Sequence, residues 1–315
     1  MAAHAETPDG FAAAYPLAKR LRYVTVLVLV MILVAGFWHR GLVDGFGRDV
    51  VAGGTIGDTG ALADTYAERG GGFGIVFAAV AGLAATFTAC NCVIFAMLPG
   101  LACSTDERGA KTTPWQALVM FTLPVLAITA VYGLYVGFLG PAGIGYVNQV
   151  EVRHAQSFAV FTALGIVMLT WGLLELGFLD GLKARASATT REFFAQLSVK
   201  AAILGAMVGM FTVGRPYPLF RDFLVYAASN KSPAYGALVM MIQGLGQIAI
   251  MVLLFVLLVR LGGRRLAAAA ADSPHRFRLV SGMALLAGGV YFIVYWGLGR
   301  LFEFGRWGYK LGWYS

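Results

Sequence analysis

The chain has 315 residues, of which 59% are hydrophobic and 13% charged, and its mean hydropathy is +0.74. A water-soluble domain cannot hide that much apolar surface, so a bilayer must solvate most of it. The net charge of +8 does not point to nucleic acid, because the basic residues cluster in three segments between apolar runs.

A bilayer-spanning helix needs roughly 20 mostly apolar residues. Seven such stretches can be read, at 23–39, 73–101, 115–140, 157–180, 196–228, 234–260 and 278–302. The fold class expected is therefore all-α: a polytopic membrane protein of about seven transmembrane helices. Residues 1–40 form a tail and a retained anchor helix, because the leader carries Glu6 and Asp9 and the first apolar run ends in Gly-Phe-Trp-His-Arg without a small-x-small cleavage site. Residues 41–72 are rich in glycine, and Asp44, Asp49, Asp58, Asp64 and Glu68 outnumber Arg48 and Arg69. This segment is expected to be an exposed outer loop. Residues 73–302 form a six-helix domain, and 303–315 an aromatic and basic tail suited to the membrane interface.

Lys19, Arg20 and Arg22 precede the first span. Lys183, Arg185 and Arg191 follow the fourth, and Arg260, Arg264, Arg265, Arg276 and Arg278 follow the sixth. With alternating spans these segments share one side. The positive-inside bias makes that side the cytoplasm, with the amino terminus inside and the carboxyl terminus outside, in a bacterial inner membrane.

The last six spans fall into two groups of three, 73–180 and 196–302. One opens with AAVAGLAATFTACNCVIFAMLPG and the other with AAILGAMVGMFTVGRPYPLFRDF. Both place Phe-Thr (Phe87-Thr88 and Phe211-Thr212) before an unusual cluster, and both carry prolines: Pro99 in one, Pro216 and Pro218 in the other. Proline removes a backbone donor and frees a carbonyl. At membrane depth such a break persists only where protein or a water-filled cavity repairs it. Three spans per group also inverts the second copy, so two broken helices are expected to meet at the centre of an inverted 3+3 repeat.

The ionisable residues at membrane depth are functional candidates by default. For Arg215 two uses are open: satisfying carbonyls freed by the break, or holding an anion. Arg221 and Asp222 can pair with each other, and Glu175 reads as interfacial. Gln243 and Gln247 lie one turn apart on a single helix face and read as interhelical hydrogen-bonders. The three cysteines are Cys90, Cys92 and Cys103. Cys103 reads as packing. For Cys90 and Cys92, on either side of Asn91, redox chemistry, soft-metal binding and packing are all open. No nucleophile-base pair, phosphate loop or zinc motif is present in the sequence, so no self-contained enzyme and no cofactor is expected.

Residues 73–302 resemble the CcdA/DsbD transmembrane family. The likeness rests on the stretch from Val199 to Gly246, with its Ser/Pro-containing loop, and on HRFRLVSGMALLAGGVYFIVYWG, with its basic start followed by Ser-Gly. The family passes electrons across the membrane to periplasmic thiol proteins through one Pro-Cys element in each repeat. Here Pro216-Tyr217 replaces the second Pro-Cys, and Asn91 replaces the proline before Cys92. The resemblance thus implies either that Cys90 and Cys92 act alone as thiol carriers or that electron relay is lost and only the scaffold remains, with Asn91, Pro99, Arg215, Pro216, Tyr217 and Pro218 shaping or lining the centre. It also implies a thioredoxin-like periplasmic partner and a periplasmic redox-enzyme client. The altered cysteine pattern is similar to that of the MauF branch, required for methylamine dehydrogenase maturation. The rival expectation is a small-solute or soft-metal transporter on the same scaffold, with Arg215 and Tyr217 lining its site.

Overall fold

The structure is a computed structural model, and it describes residues 8–88, 91, 114–185, 187–304 and 306–314. Its principal helices are α1 (Pro8–Ala14), α2 (Leu17–Gly36), α3 (Tyr66–Ala85), α4 (Pro114–Val147), α5 (Val150–Glu175), α6 (Leu197–Gly214), α7 (Pro218–Ala228), α8 (Pro233–Asp272) and α9 (Pro274–Phe292). No strand occurs among the described residues. Among the described residues five helices are long and apolar enough to cross a membrane: α4, α5, α6, the Pro233–Leu261 part of α8, and His275–Leu301. A sixth candidate is the pair Leu17–Gly36 and Gly41–Ile56, bent by 70°. The expected count of seven is not reached among the described residues. The span expected at 73–101 runs out of them after Thr88, with Asn91 alone beyond; Cys90, Cys92, Pro99 and Cys103 lie outside the described residues.

The packing of these helices follows a swap symmetry. Helix α4 packs on α6 and α8, whereas α8 packs on α4 and α3, and α5 packs on α9. Exchanging the group α3-α4-α5 for the group α6/α7-α8-α9 leaves this pattern intact. Its closest contacts are made by glycines, because only a missing side chain lets helix backbones touch. A Cβ on Gly82 of α3 would lie 2.2 Å from the carbonyl oxygen of Gln243 in α8, and one on Gly205 of α6 would lie 2.0 Å from that of Phe121 in α4. The first helix of each group thus rests glycine-to-carbonyl on the second helix of the other.

Helices α4 and α8 run antiparallel: Thr129 faces Gly244, Gly133 faces Gly236, and Gly137 faces Ser232. Helix α4 extends past its expected end at 140, through a kink at Gly140 where φ is +61°. Helix α5 begins at Val150 rather than 157, which takes Arg153 out of an expected loop and into the packed helix.

Residues 41–72 are not the open loop expected. They fold into short helical turns, including a π-helix at Phe46–Ala52, with Ala52 and Leu62 buried. Gly47 sits so close that a Cβ there would lie 2.3 Å from the carbonyl oxygen of Ala84. The segment's apolar residues, set among glycines and acids, pack against α3 and α7 as a folded cover.

One end of the molecule gathers basic side chains around the C-terminus of α5. Gly177, with φ of +73°, ends that helix in a Schellman turn: Phe178 N–H donates to Leu173 O and Gly177 N–H to Leu174 O. The remaining carbonyls go to arginines, Arg20 of α2 donating to Leu176 O at 2.7 Å and Arg278 of α9 to Glu175 O at 2.7 Å. Lys200 pairs with the Glu175 carboxylate at 3.2 Å. Cations suit the negative end of a helix dipole. Gly177→Ala should lower stability by about 1–2 kcal/mol, because a Cβ there is in the left-handed region and only 2.7 Å from Arg20 Nη1. Reversible unfolding in mixed micelles is the measurement.

At the other end the aromatic tail folds back on α2. Tyr314 donates its hydroxyl to Phe37 O at 2.6 Å, and the Trp313 and Phe37 rings stack with centroids 5.0 Å apart. The tail therefore pins the extra helix as well as the last one.

Candidate functional site

The second helix break is where the proline pattern places it. Helix α6 stops at Gly214, residues 215–217 are non-helical, and α7 starts with Pro218 at its first turn. Prolines 216 and 218 have no N–H to offer Thr212 O and Gly214 O. The Thr212 carbonyl accepts instead from Arg215 N–H at 3.4 Å. Gly214 O accepts from the Ser157 hydroxyl at 2.6 Å. Arg215 O, the next carbonyl along the interrupted ladder, accepts from Arg153 Nη2 at 2.6 Å. The repair of the break thus comes from α5, one turn apart, and not from the Arg215 guanidinium.

Arg153 is the functional candidate that the sequence reading missed. It is 1% exposed. Its Nη1 donates to the Tyr132 hydroxyl at 2.7 Å and to Gln156 Oε1 at 3.0 Å, and the guanidinium carbon lies 5.5 Å from the centre of the Phe220 ring. Its Nε has no hydrogen-bond partner. All its acceptors are neutral. The i, i+4 spacing of Arg153 and Ser157 puts both on one helix face, but nothing local says what that face meets.

The first break opens just before Asn91, one of the residues expected to form it, and Pro99 lies outside the described residues. Helix α3 ends at Ala85, and residues 86–88 turn. Thr88 Oγ1 and Asn91 Nδ2 both donate to Ala85 O, at 2.7 and 2.8 Å. Short polar side chains that bond the local backbone compete with the helix ladder, so Thr88 and Asn91 suffice to interrupt it. Asn91 is 4% exposed.

The two breaks meet. Arg215, 3% exposed, places Nη2 3.5 Å from the Thr88 hydroxyl. Tyr217 is buried and donates to Asp44 O at 2.7 Å, under the folded cover. Pro216 and Pro218 flank it and shape the turn. Arg221 and Asp222 do not form the pair allowed above: Asp222 accepts from the Thr59 hydroxyl at 3.1 Å, while Arg221 O takes Asn148 Nδ2 at 2.8 Å.

Beside the breaks runs a neutral polar seam. Gln247 Oε1 accepts from Thr212 at 2.8 Å and from Gln243 Nε2 at 3.4 Å, its Nε2 donates to Val208 O at 3.3 Å, and Thr86 donates to Gln247 O at 3.0 Å. These amides tie α8 to both broken helices, as the packing reading of Gln243 and Gln247 expects.

Fold and site define the class: an all-α polytopic membrane protein whose interior holds a helix break with two buried arginines. Neither a family model, nor a curated protein, nor a solved structure matches the chain.

Proposed function

We propose that this protein is an inner-membrane component that assists thiol-redox maturation of a periplasmic redox enzyme, in the manner of the CcdA/DsbD family that residues 73–302 resemble. Among the members of that family, methylamine dehydrogenase biogenesis of the MauF kind fits the altered cysteine pattern. The observation that supports this reading is the burial of Asn91, the residue between Cys90 and Cys92, bonded to Ala85 O at a break that touches the second break through Thr88 and Arg215. A thiol pair covalently flanking a residue at the meeting point of two broken helices is suited to exchange with a partner.

Cys90 and Cys92 would be oxidised to a disulfide while a disulfide of a thioredoxin-like periplasmic partner is reduced. Two electrons and two protons leave the dithiol and appear on the partner, which then acts on the client. The amino terminus and the basic end around Glu175 face the cytoplasm, and the aromatic tail faces the periplasm.

Cys92→Ser should abolish maturation of the client, read as active periplasmic enzyme per cell at unchanged membrane abundance of the variant. Normal maturation in that strain rejects the redox role.

A further inference from the structure

The end of the molecule built around the C-terminus of α5 carries its positive charge in two layers. The inner layer is spent. Arg20 and Arg278 hold the carbonyls of Leu176 and Glu175, and their guanidinium carbons lie 5.7 and 4.4 Å from the centre of the Phe11 ring. Lys200 pairs with the Glu175 carboxylate. The outer layer is exposed. Arg22 follows Arg20 on α2, Arg276 precedes Arg278 on α9, and Arg191 sits in the short helix Ala188–Ala195 that leads into α6; all three are exposed, as are Lys19 and Arg185. Among the described side chains the acids at this end besides Glu175 are Asp180, Glu192 and Asp272, so the exposed charge is net positive. Apolar side chains stand beside these cations. Phe193 and Phe194 come just after Arg191, and Leu182 just before Arg185; each is more than half exposed. The two phenyl rings meet edge to face at 5.4 Å.

We propose that this end is a docking surface for anionic phospholipid headgroups, with Phe193, Phe194 and Leu182 among the upper acyl chains and Arg22, Arg191 and Arg276 at the phosphates. Two independent observations meet here. The connecting segment joins α5 to α6, both long and apolar enough to cross a membrane, so it lies where a span gives way to headgroups. Exposed rings next to basic residues suit that boundary, the ring entering the acyl region and the cation staying with the phosphates. Charge decides which lipid is taken. A zwitterionic headgroup carries its own ammonium beside the phosphate, whereas an anionic one leaves the phosphate to the arginines, whose planar fork fits it. The cations come from α2, from the α5–α6 connection and from α9, so occupied headgroups brace elements far apart in the chain. The surface stands independently of the thiol reading.

The test offers the full chain, in neutral detergent, equimolar phosphatidylglycerol and phosphatidylcholine of the same acyl chains, and counts the lipids retained by native mass spectrometry. The wild type should retain phosphatidylglycerol over phosphatidylcholine by at least about fivefold, the effect of a single basic residue near a lipid surface. Arg22→Gln/Arg191→Gln/Arg276→Gln should bring the two lipids to parity. Phe193→Ser/Phe194→Ser should instead lower retention of both by at least about twofold and leave their ratio unchanged, because it removes apolar contact and no charge. Inorganic phosphate in place of chloride at the same ionic strength should displace nothing, which separates a lipid headgroup from free phosphate. Should the triple variant fail to fold, the three single variants serve, each expected to lower the ratio. Equal retention of the two lipids by the wild type, a ratio unchanged in the folded arginine variants, retention unchanged in the phenylalanine variant, or displacement by phosphate overturns the proposal.

Discussion

Replacing Gly236 by alanine is expected to destabilise the protein by about 3 kcal/mol, the upper part of the range for overpacking a dense interior. The reason is geometric. A Cβ at Gly236 would lie 2.2 Å from the carbonyl oxygen of Gly133, and a Cβ at Gly133 would lie 2.3 Å from that of Gly236. The atom in the way is backbone on each side, so no rotamer change relieves the clash, and α4 and α8 must separate. Separation also pulls on the neighbouring contacts at Gly137 and Gly244. Gly133→Ala should cost about as much. The double substitution should fall short of the sum by roughly 1–2 kcal/mol, because helices already pushed apart by one methyl accommodate the other. The measurement is equilibrium unfolding of all four proteins in mixed micelles. Additive losses, or a Gly236→Ala protein as stable as the wild type, would show that the two helices do not touch at this point.

Arg153→Leu is the second large effect, again a loss of about 3 kcal/mol or more. Two contributions oppose each other. Removing a lone buried cation recovers its desolvation cost, which favours the variant. Against this, leucine leaves Arg215 O and the Tyr132 hydroxyl without their charged donor, in surroundings that cannot hydrate them. Charge-assisted hydrogen bonds contribute about 1.5–3 kcal/mol each, and the shorter side chain leaves a cavity beside Phe220. The losses win because Arg215 O belongs to an interrupted helix ladder, where no other donor is in place. Ser157→Ala removes only one neutral donor to Gly214 O, and its loss should be smaller, roughly 1–2 kcal/mol. The order of the two, read by the same unfolding experiment, tests whether α5 repairs the break. Equal stability of Arg153→Leu and wild type would mean that the guanidinium is not bonded to the break at all.

The second break was readable because its cause is local. Pro216 and Pro218 cannot donate, whatever surrounds them, and the chain interrupts at 215–217. The first break, expected around Asn91 and Pro99, shows only its beginning among the described residues. There the helix ends at Ala85 through side-chain bonds from Thr88 and Asn91, and threonine in an apolar run is compatible with a continuous helix until its partner is known. The glycines showed a similar split. Their abundance announced close packing, but which glycine meets which carbonyl depends on helix rotation and register, and these follow from the whole assembly.

The expected span bounds leave Arg153 outside the helices, and a basic residue beside Glu151 and His154 is ordinarily exposed. Only the arrival of Arg215 O, Tyr132 and Phe220 around one guanidinium makes burial tolerable. Likewise the glycines and acids of 41–72 suggested solvent, whereas the apolar minority in that stretch packs on α3 and α7.

What the sequence by itself determined is the solvent and the secondary structure: apolar runs of bilayer length must satisfy their backbone internally and are helical, and two prolines must break one of them. What only the tertiary structure decided is which groups meet at that break. Repairing a freed carbonyl requires a donor from another helix, and the identity of that donor depends on packing between segments far apart in the chain, which no local pattern of residues encodes.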